Sequence, residues 1–189
     1  VGVRTSLTAA DLPEDLSALR SQIEAAVPVG FHSHEEAIDL AALRPIADGA
    51  RSAEVLRGEA GFWERFAGLS PSVADLRLRA SKQMGTLGGG NHFIEVCLDT
   101  ADQVWLQLHS GSRHIGKTLA EAHVAVAKEL PHNVGIVDRD LAVLLGGTPE
   151  MDAYMHDLWW AQEYAARSRA VMMTLVVDVV RQAFAAAAP

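Results

Sequence analysis

Gly85-Thr-Leu-Gly-Gly-Gly-Asn-His-Phe93 and Leu108-His-Ser-Gly-Ser-Arg-His-Ile-Gly116 frame the stretch that decides how this chain folds. Each block couples a glycine-rich backbone to an imidazole. Between them, Phe93 to Leu98 and Val104 to His109 are rich in β-branched and aromatic residues and read as strands. The link Asp99-Thr-Ala-Asp-Gln103 has turn chemistry. A hairpin folded about the Thr100–Ala101 bond sets His92 opposite His109. Directly opposed residues share a face of a sheet, with Cβ atoms roughly 4.5–5.5 Å apart. Two imidazoles at that separation can hold one divalent ion. A lone glycine-rich turn is usually only a turn, and a lone strand-end histidine is usually structural. Two such blocks joined by one hairpin favour a metal or phosphate site.

The glycines have a separate role. Gly85, Gly88, Gly89 and Gly90 allow positive φ and close backbone approach to a ligand, and Gly111 and Gly116 do the same around Ser110, Ser112 and Arg113. The second block leads into a helix expected from about Lys117 to Leu130. A helix N-terminus attracts anions, and Arg113 there can take a phosphate bidentately. No Gly-Lys-Ser/Thr follows the glycines, so this is not a Walker A loop. They precede a strand instead of opening a helix, so it is not a dinucleotide fingerprint either.

At these residues the chain resembles the RtcB-type RNA ligase family. Gly85-Thr-Leu-Gly-Gly-Gly-Asn-His-Phe-Ile-Glu95 is similar to that family's Gly-Thr-Leu-Gly-x-Gly-Asn-His-Phe-x-Glu segment, and His109-Ser-Gly-Ser-Arg113 to its His-Ser-Gly-Ser-Arg segment. Val3-Arg-Thr-Ser-Leu-Thr-Ala-Ala-Asp-Leu12 resembles the stretch after the family's Asp-x-Gly-Cys-Gly metal motif, and Arg139 through Gln162 resembles the matching part of bacterial members. The resemblance implies a GTP- and manganese-dependent ligase. It would join an RNA end carrying a 2′,3′-cyclic phosphate or 3′-phosphate to a 5′-hydroxyl, through a histidine–GMP intermediate, in tRNA splicing or RNA repair. Carried over residue by residue, His92 and His109 would be manganese ligands in a two-metal site. Asn91 would contact phosphate near the metals, Glu95 the guanine base, and Arg113 an RNA phosphate. The substrates would be tRNA halves or broken RNA, and an archease-like activator would be a further partner.

Three departures from the family pattern stand out. Gly89 replaces a common Ser or Thr. His114 follows Arg113 where Gly is usual, adding bulk and charge beside the site. Arg167-Ser-Arg169 sits where members often carry Asn-Arg. Strict strand alternation also sets Glu95 on the face opposite His92. The family's Asp/Cys metal motif would precede Val1, and its nucleophilic histidine would follow Pro189. Residues 1–189 are therefore expected to be the central part of a single catalytic domain, and not to ligate RNA alone.

Composition sets outer bounds. A chain of 189 residues is long enough for a real core, and 49% hydrophobic with 21% charged residues fits a globular protein, not a disordered one. The net charge of −8 opposes non-specific nucleic-acid binding. Metal ions and a local arginine cluster would have to supply the positive field. The single cysteine, Cys97, excludes an internal disulfide and suggests a reducing compartment; it reads as a packed thiol more than a metal ligand. No signal peptide is recognisable, and Ala170 to Val180 is too short and too charged for a membrane span. The expected location is cytoplasmic, with no membrane partner.

Along the chain, Thr8 and Asp11 form a candidate capping box for a helix from about Pro13 to Val27, with Leu12, Leu16, Leu19 and Ile23 on its buried face. No element is assigned before Thr8. Pro28 to His34 reads as a loop, whose His32 and His34 are weak metal candidates. Residues 35–80 read as short helical pieces, broken at Pro45, Gly49, Gly58, Gly61 and Pro71. Trp63 and Phe66 are expected to pack on the sheet. Arg77, Arg79 and Lys82 form the most basic stretch, read first as a solvated helix face and second as an RNA contact. His123 reads as a satisfied core histidine. Asp138 is expected to cap a short helix to Leu145. Thr148-Pro149 starts a long helix, with Thr at N-cap and Pro at N1. Its stripe is Tyr154, Leu158, Ala161, Ala165, Met172, Val176 and Val179, with Trp159 and Trp160 in the core or at a domain contact. Ala185 to Ala188 reads as a frayed or cut end.

The expected architecture is α+β. A mostly antiparallel sheet carries a metal or nucleotide site, helices pack against it, and a long helix closes the C-terminal part. Two other functions remain open. One is a metal-dependent phosphoesterase using His92, His109 and Arg113 without a guanylated histidine. The other is a non-catalytic remnant of the ligase fold.

Overall fold

The computed structural model describes residues 1–43 and 61–184. The expected breaks at Pro45, Gly49 and Gly58, and the tail Ala185 to Ala188, lie outside those residues. The architecture is α+β. Three strands, β1 (Gly2–Thr8), β2 (Phe93–Leu98) and β3 (Gln103–His109), form one antiparallel sheet in the order β1-β3-β2. Among the described residues four α-helices accompany it: α1 (Ser17–Ala26), α2 (Arg77–Gln83), α3 (Arg113–Glu129) and α4 (Pro149–Ala183). Short 3₁₀ turns at Leu40–Ala42, Glu64–Gly68 and Pro71–Leu76 occupy described parts of the segment between α1 and α2, in keeping with the short helical pieces expected there.

β1 precedes the first element expected from the sequence. Its inward residues alternate as Val3, Thr5 and Leu7. It pairs with β3 up to Arg4↔Trp105 and resumes at Thr8↔Gln103, with an irregularity between. The Gln103 side-chain amide donates to the Thr5 carbonyl at 3.0 Å and to that of Leu7, so the interrupted ladder leaves these acceptors paired. The capping box of Thr8 and Asp11 is present, but it opens a 3₁₀ turn at Ala9–Asp11; α1 begins only at Ser17.

The hairpin strands match expectation, but their register does not. Phe93, not His92, pairs with His109, and Leu98 pairs with Val104. The turn explains the shift by one residue. The Asp99 carboxylate accepts from the backbone of Ala101 at 2.8 Å and Gln103 at 3.1 Å, and Asp102 adopts a left-handed φ of 57°. A turn followed by one left-handed residue makes a three-residue loop, so the fold axis passes through Ala101 and not the preceding bond.

α4 is the spine of the protein. Its 35 residues extend about 52 Å at 1.5 Å per residue. The Thr148 hydroxyl accepts from the Met151 backbone and Pro149 occupies the first turn, as the sequence indicates. One part of the helix puts Trp160 and Tyr164 against Phe62, Phe66, Val73 and Leu119. The later part puts Met172, Met173, Val176 and Val180 against Leu7, Val104, Leu106 and Leu108 of the sheet and Leu19 of α1. Trp63 and Phe66 therefore pack on α4, not on the sheet: the Trp63 ring meets Tyr164 edge-on at 6.4 Å and Phe66 meets Trp160 at 5.4 Å. Trp160 is core, whereas its neighbour Trp159 points outward and is 60% exposed.

Buried charge on α4 is paired. Asp157 accepts from His123 Nε2 at 2.8 Å, His156 Nδ1 at 3.1 Å and the Ser70 backbone at 3.2 Å. His123 is thus satisfied, as read. Arg167 meets Glu163 at 2.7 Å and lies over the Phe62 ring at 4.7 Å. Asp138 caps a single 3₁₀ turn, Arg139–Leu141, shorter than the helix to Leu145 that was expected. Among the described residues, no helix is long and apolar enough to cross a membrane.

Candidate functional site

Two loops converge where the hairpin meets α3. The first runs from Gly85 to His92; the second, Ser110 to Ser112, leads from β3 into α3. The helix begins at Arg113, four residues earlier than the sequence suggested. The glycine loop is anchored from below by α4. The Gly85 N–H donates to Ser168 Oγ at 3.1 Å, and His34 Nε2 donates to the Gly85 carbonyl at 3.1 Å. His34 is therefore a structural donor. Gly85 has a φ of 77°, a region that favours glycine, and the place of a Cβ there is only 2.4 Å from Val171 Cγ1. The second loop is held by Arg169, whose Nη1 donates to the Ser110 carbonyl at 3.2 Å. Ser168 and Arg169 carry no motif signal that points to the site. Only the fold shows that the Arg167-Ser-Arg169 departure supplies two of its struts.

His92 sits one residue before β2, beside the strand end and not across from it. Its ring centroid lies 5.9 Å from that of His109, at an interplanar angle of 54°. This is within the span of two imidazoles that each place a nitrogen about 2 Å from a shared ion. His109 also stacks on Phe93, its true cross-strand partner, at 5.8 Å and 16°. Directly opposed residues share a face, so Phe93, Glu95 and His109 lie on the same, exposed side of the sheet. Strand alternation does not govern His92, which precedes β2, but Glu95 and His92 still line different clefts. Asn91 is exposed in the turn just before His92.

His92 Nδ1 and Ser110 Oγ are buried without a hydrogen-bond partner among the described residues. A buried polar nitrogen with no partner is costly, and a bound water, ion or ligand is what would satisfy it. Close packing surrounds it. A Cβ on Gly88 would stand 2.1 Å from His92 Nδ1 and 2.6 Å from Arg113 Nη1, so no side chain fits there. The donor set suits a metal in part: two imidazoles converge, but no group of three or more His, Cys, Asp or Glu residues gathers among the described residues. Two imidazoles do not select manganese over other divalent metals.

Arg113 completes the site. Its φ of 56° is left-handed, which for a residue with a side chain costs about 1–3 kcal/mol. The surroundings hold it there: Nε donates to Thr86 Oγ1 at 3.0 Å and Nη2 to the Gly30 carbonyl at 2.7 Å. Among the described residues, no carboxylate pairs with it. Burial pushes its pKa down, and the nearby Arg79 adds to the shift, yet guanidinium stays charged. A half-buried guanidinium with no acidic partner is a site for an anion. Arg113, His92, Arg79, His114 and Lys117 line one cleft of about 550 Å³. The three basic residues of the Arg77–Lys82 stretch part company here. Arg79 faces the cleft, the Arg77 guanidinium lies over the Trp63 ring at 5.0 Å, and Lys82 meets the Glu35 carbonyl. Glu95 lies apart from this cleft, lining a separate apolar groove between β2 and α1.

Charge in the cleft also tunes His92. Its pKa lies below the ordinary histidine value, first because of burial and then because of Arg113 and His109. The unfolded chain therefore binds this proton more tightly than the folded one, so His92 subtracts stability as pH falls through the ordinary histidine range. The same causes favour the neutral imidazole over the charged one. In metal-free protein, Arg113→Gln should move the His92 titration midpoint upward, part of the way to that of a free histidine, because burial remains. An NMR titration checks this; an unchanged midpoint would mean that Arg113 does not act on His92.

The chain is similar to known proteins over nearly its whole length. The family model described as tRNA-splicing ligase RtcB matches residues 1–189. The chain is 40% identical over 183 residues to RNA-splicing ligase RtcB1 and to RNA-splicing ligase RtcB, both of Escherichia coli, in each case covering 95% of this chain and 43% of the relative. The chain thus spans less than half the length of the curated relatives it matches. With both glycine–histidine blocks inside the matched region, the chain belongs to the RtcB tRNA-splicing ligase family.

Proposed function

We propose that these residues form the metal- and phosphate-binding part of an RNA ligase that joins a 2′,3′-cyclic phosphate or 3′-phosphate end to a 5′-hydroxyl end. One observation supports the reading most: His92, whose buried Nδ1 has no partner among the described residues, lies 5.9 Å from the His109 ring and shares a cleft with Arg113, with which no described carboxylate pairs. His92 and His109 would hold manganese, with further ligands from elsewhere in the protein. Manganese, when bound, neutralises phosphate charge and orients an in-line attack. Arg113 would take an RNA phosphate as a fixed fork, Asn91 would contact phosphate beside the metals, and Glu95 would accept from the guanine base of GTP. The histidine that carries GMP would come from another part of the full natural protein. The net charge of −8 is reconciled locally, because Arg79, Arg113 and Lys117 concentrate positive charge on one cleft. We assign the work to the cytoplasm, on tRNA halves or broken RNA, with an archease-like activator as a further partner.

The test is joining of a 3′-phosphate RNA to a 5′-hydroxyl RNA by the full natural protein with GTP and manganese, alongside its intact mass. The expected result is a joined product and a single GMP adduct. Phosphate release without joining would favour a phosphoesterase, and neither activity would favour a non-catalytic remnant. Residues 1–189 alone, with two converging imidazoles, are expected not to join RNA.

A further inference from the structure

We infer that Phe31 is a stacking platform for an unpaired RNA base at the mouth of the Arg113 cleft; this rests on the ligase reading above. Phe31 is 96% exposed, the most exposed aromatic side chain among the described residues. It is not on a loose segment. The Gly30 N–H donates to the Leu87 carbonyl at 2.8 Å, the Leu87 N–H donates to the Pro28 carbonyl at 2.8 Å, and Val29 and Leu87 form a parallel bridge. The His32 N–H closes the turn onto the Val29 carbonyl at 3.3 Å. Arg113 itself grips the Gly30 carbonyl at 2.7 Å. One guanidinium thus fixes the ring's mount and faces the cleft beside it.

The chemistry around the ring selects the ligand. A single exposed ring is ordinary on a protein surface; what sets Phe31 apart is that it lines the cleft that Arg113 faces. Here the same cleft carries Arg79, Arg113 and Lys117, in a chain that is acidic overall. A ring beside a cationic groove is the arrangement that binds single strands: the groove follows the backbone and the ring takes a base face. Stacking uses the π-face that every base has, so the contact is tolerant of sequence. Phe31 would thereby hold the nucleotide next to the reacting end while the arginines hold phosphate.

The experiment is equilibrium binding of a single-stranded RNA with a 3′-phosphate to the full natural protein, followed by fluorescence anisotropy. Phe31→Ala is expected to weaken binding roughly 5- to 150-fold, the usual worth of one stacked base, and Phe31→Trp to keep it. An abasic nucleotide, walked through the last three positions, is expected to remove the difference between wild type and Phe31→Ala at one of them. Because the side chain is exposed, the variant should keep the melting temperature of the wild type. Equal binding of intact RNA by wild type and Phe31→Ala would overturn the stacking role while leaving the ligase reading in place. A penalty that persists with every abasic RNA would overturn it likewise. No RNA binding by the wild type would overturn the ligase reading, and this inference with it.

Discussion

Gly85→Ala is expected to destabilise the protein by about 2–5 kcal/mol, the sum of about 1–2 for a left-handed alanine and about 1–3 for overpacking. The φ of 77° is fixed by bonds on both sides of the residue: its N–H to Ser168 Oγ and its carbonyl to His34. The new Cβ would meet Val171 Cγ1 at 2.4 Å and Ile38 Cδ1 at 3.1 Å. Val171 is fully buried in the core around α4, so it cannot swing away. The loop must move instead, taking Gly88 and His92 with it. Urea unfolding would show the loss as a lower midpoint with little change in slope. Adding Val171→Ala should recover the packing part and leave the conformational part. A Gly85→Ala variant as stable as the wild type would contradict the close packing of the glycine loop on α4.

The second large effect is on activity. His92→Ala and His109→Ala are each expected to lower manganese-dependent RNA joining by at least about 100-fold. Loss of an outer-shell partner typically costs 10–100-fold in metal affinity or activity, and loss of a direct ligand should exceed that. The double variant should be little worse than either single one, because ligands of one ion act as a unit. Neither ring belongs to a hydrophobic cluster, so melting temperatures should stay close to wild type. Manganese affinity that is unchanged in both variants would remove these histidines from the metal site.

Local signals carried much of the fold. Thr148-Pro149 marked the start of α4, and the β-branched runs marked β2 and β3 almost to the residue, because caps and strand composition act over a few residues. What depended on distance was harder to read. β1 alternates over only Val3, Thr5 and Leu7, and its partner strand lies about a hundred residues away. The hairpin register turned on one left-handed residue, Asp102, which a symmetric two-residue turn does not contain. That His92 still meets His109 reflects a position beside the strand end, where a one-residue slip moves a ring without flipping its face. Trp63 and Phe66 were legible as buried but not as partners of α4, since aromatic character does not name its neighbour. In the site, His92, His109 and Arg113 announce themselves through their glycine context. The struts Ser168 and Arg169 do not, because on a long helix they are spaced like any other polar pair.

The direct test of the central claim is pulsed electron paramagnetic resonance of manganese bound to the full natural protein. If His92 and His109 hold the ion, the spectrum shows nitrogen couplings from two imidazoles, and His92→Ala and His109→Ala each remove one. A bound manganese with no nitrogen coupling, or couplings that survive both substitutions, would contradict the account.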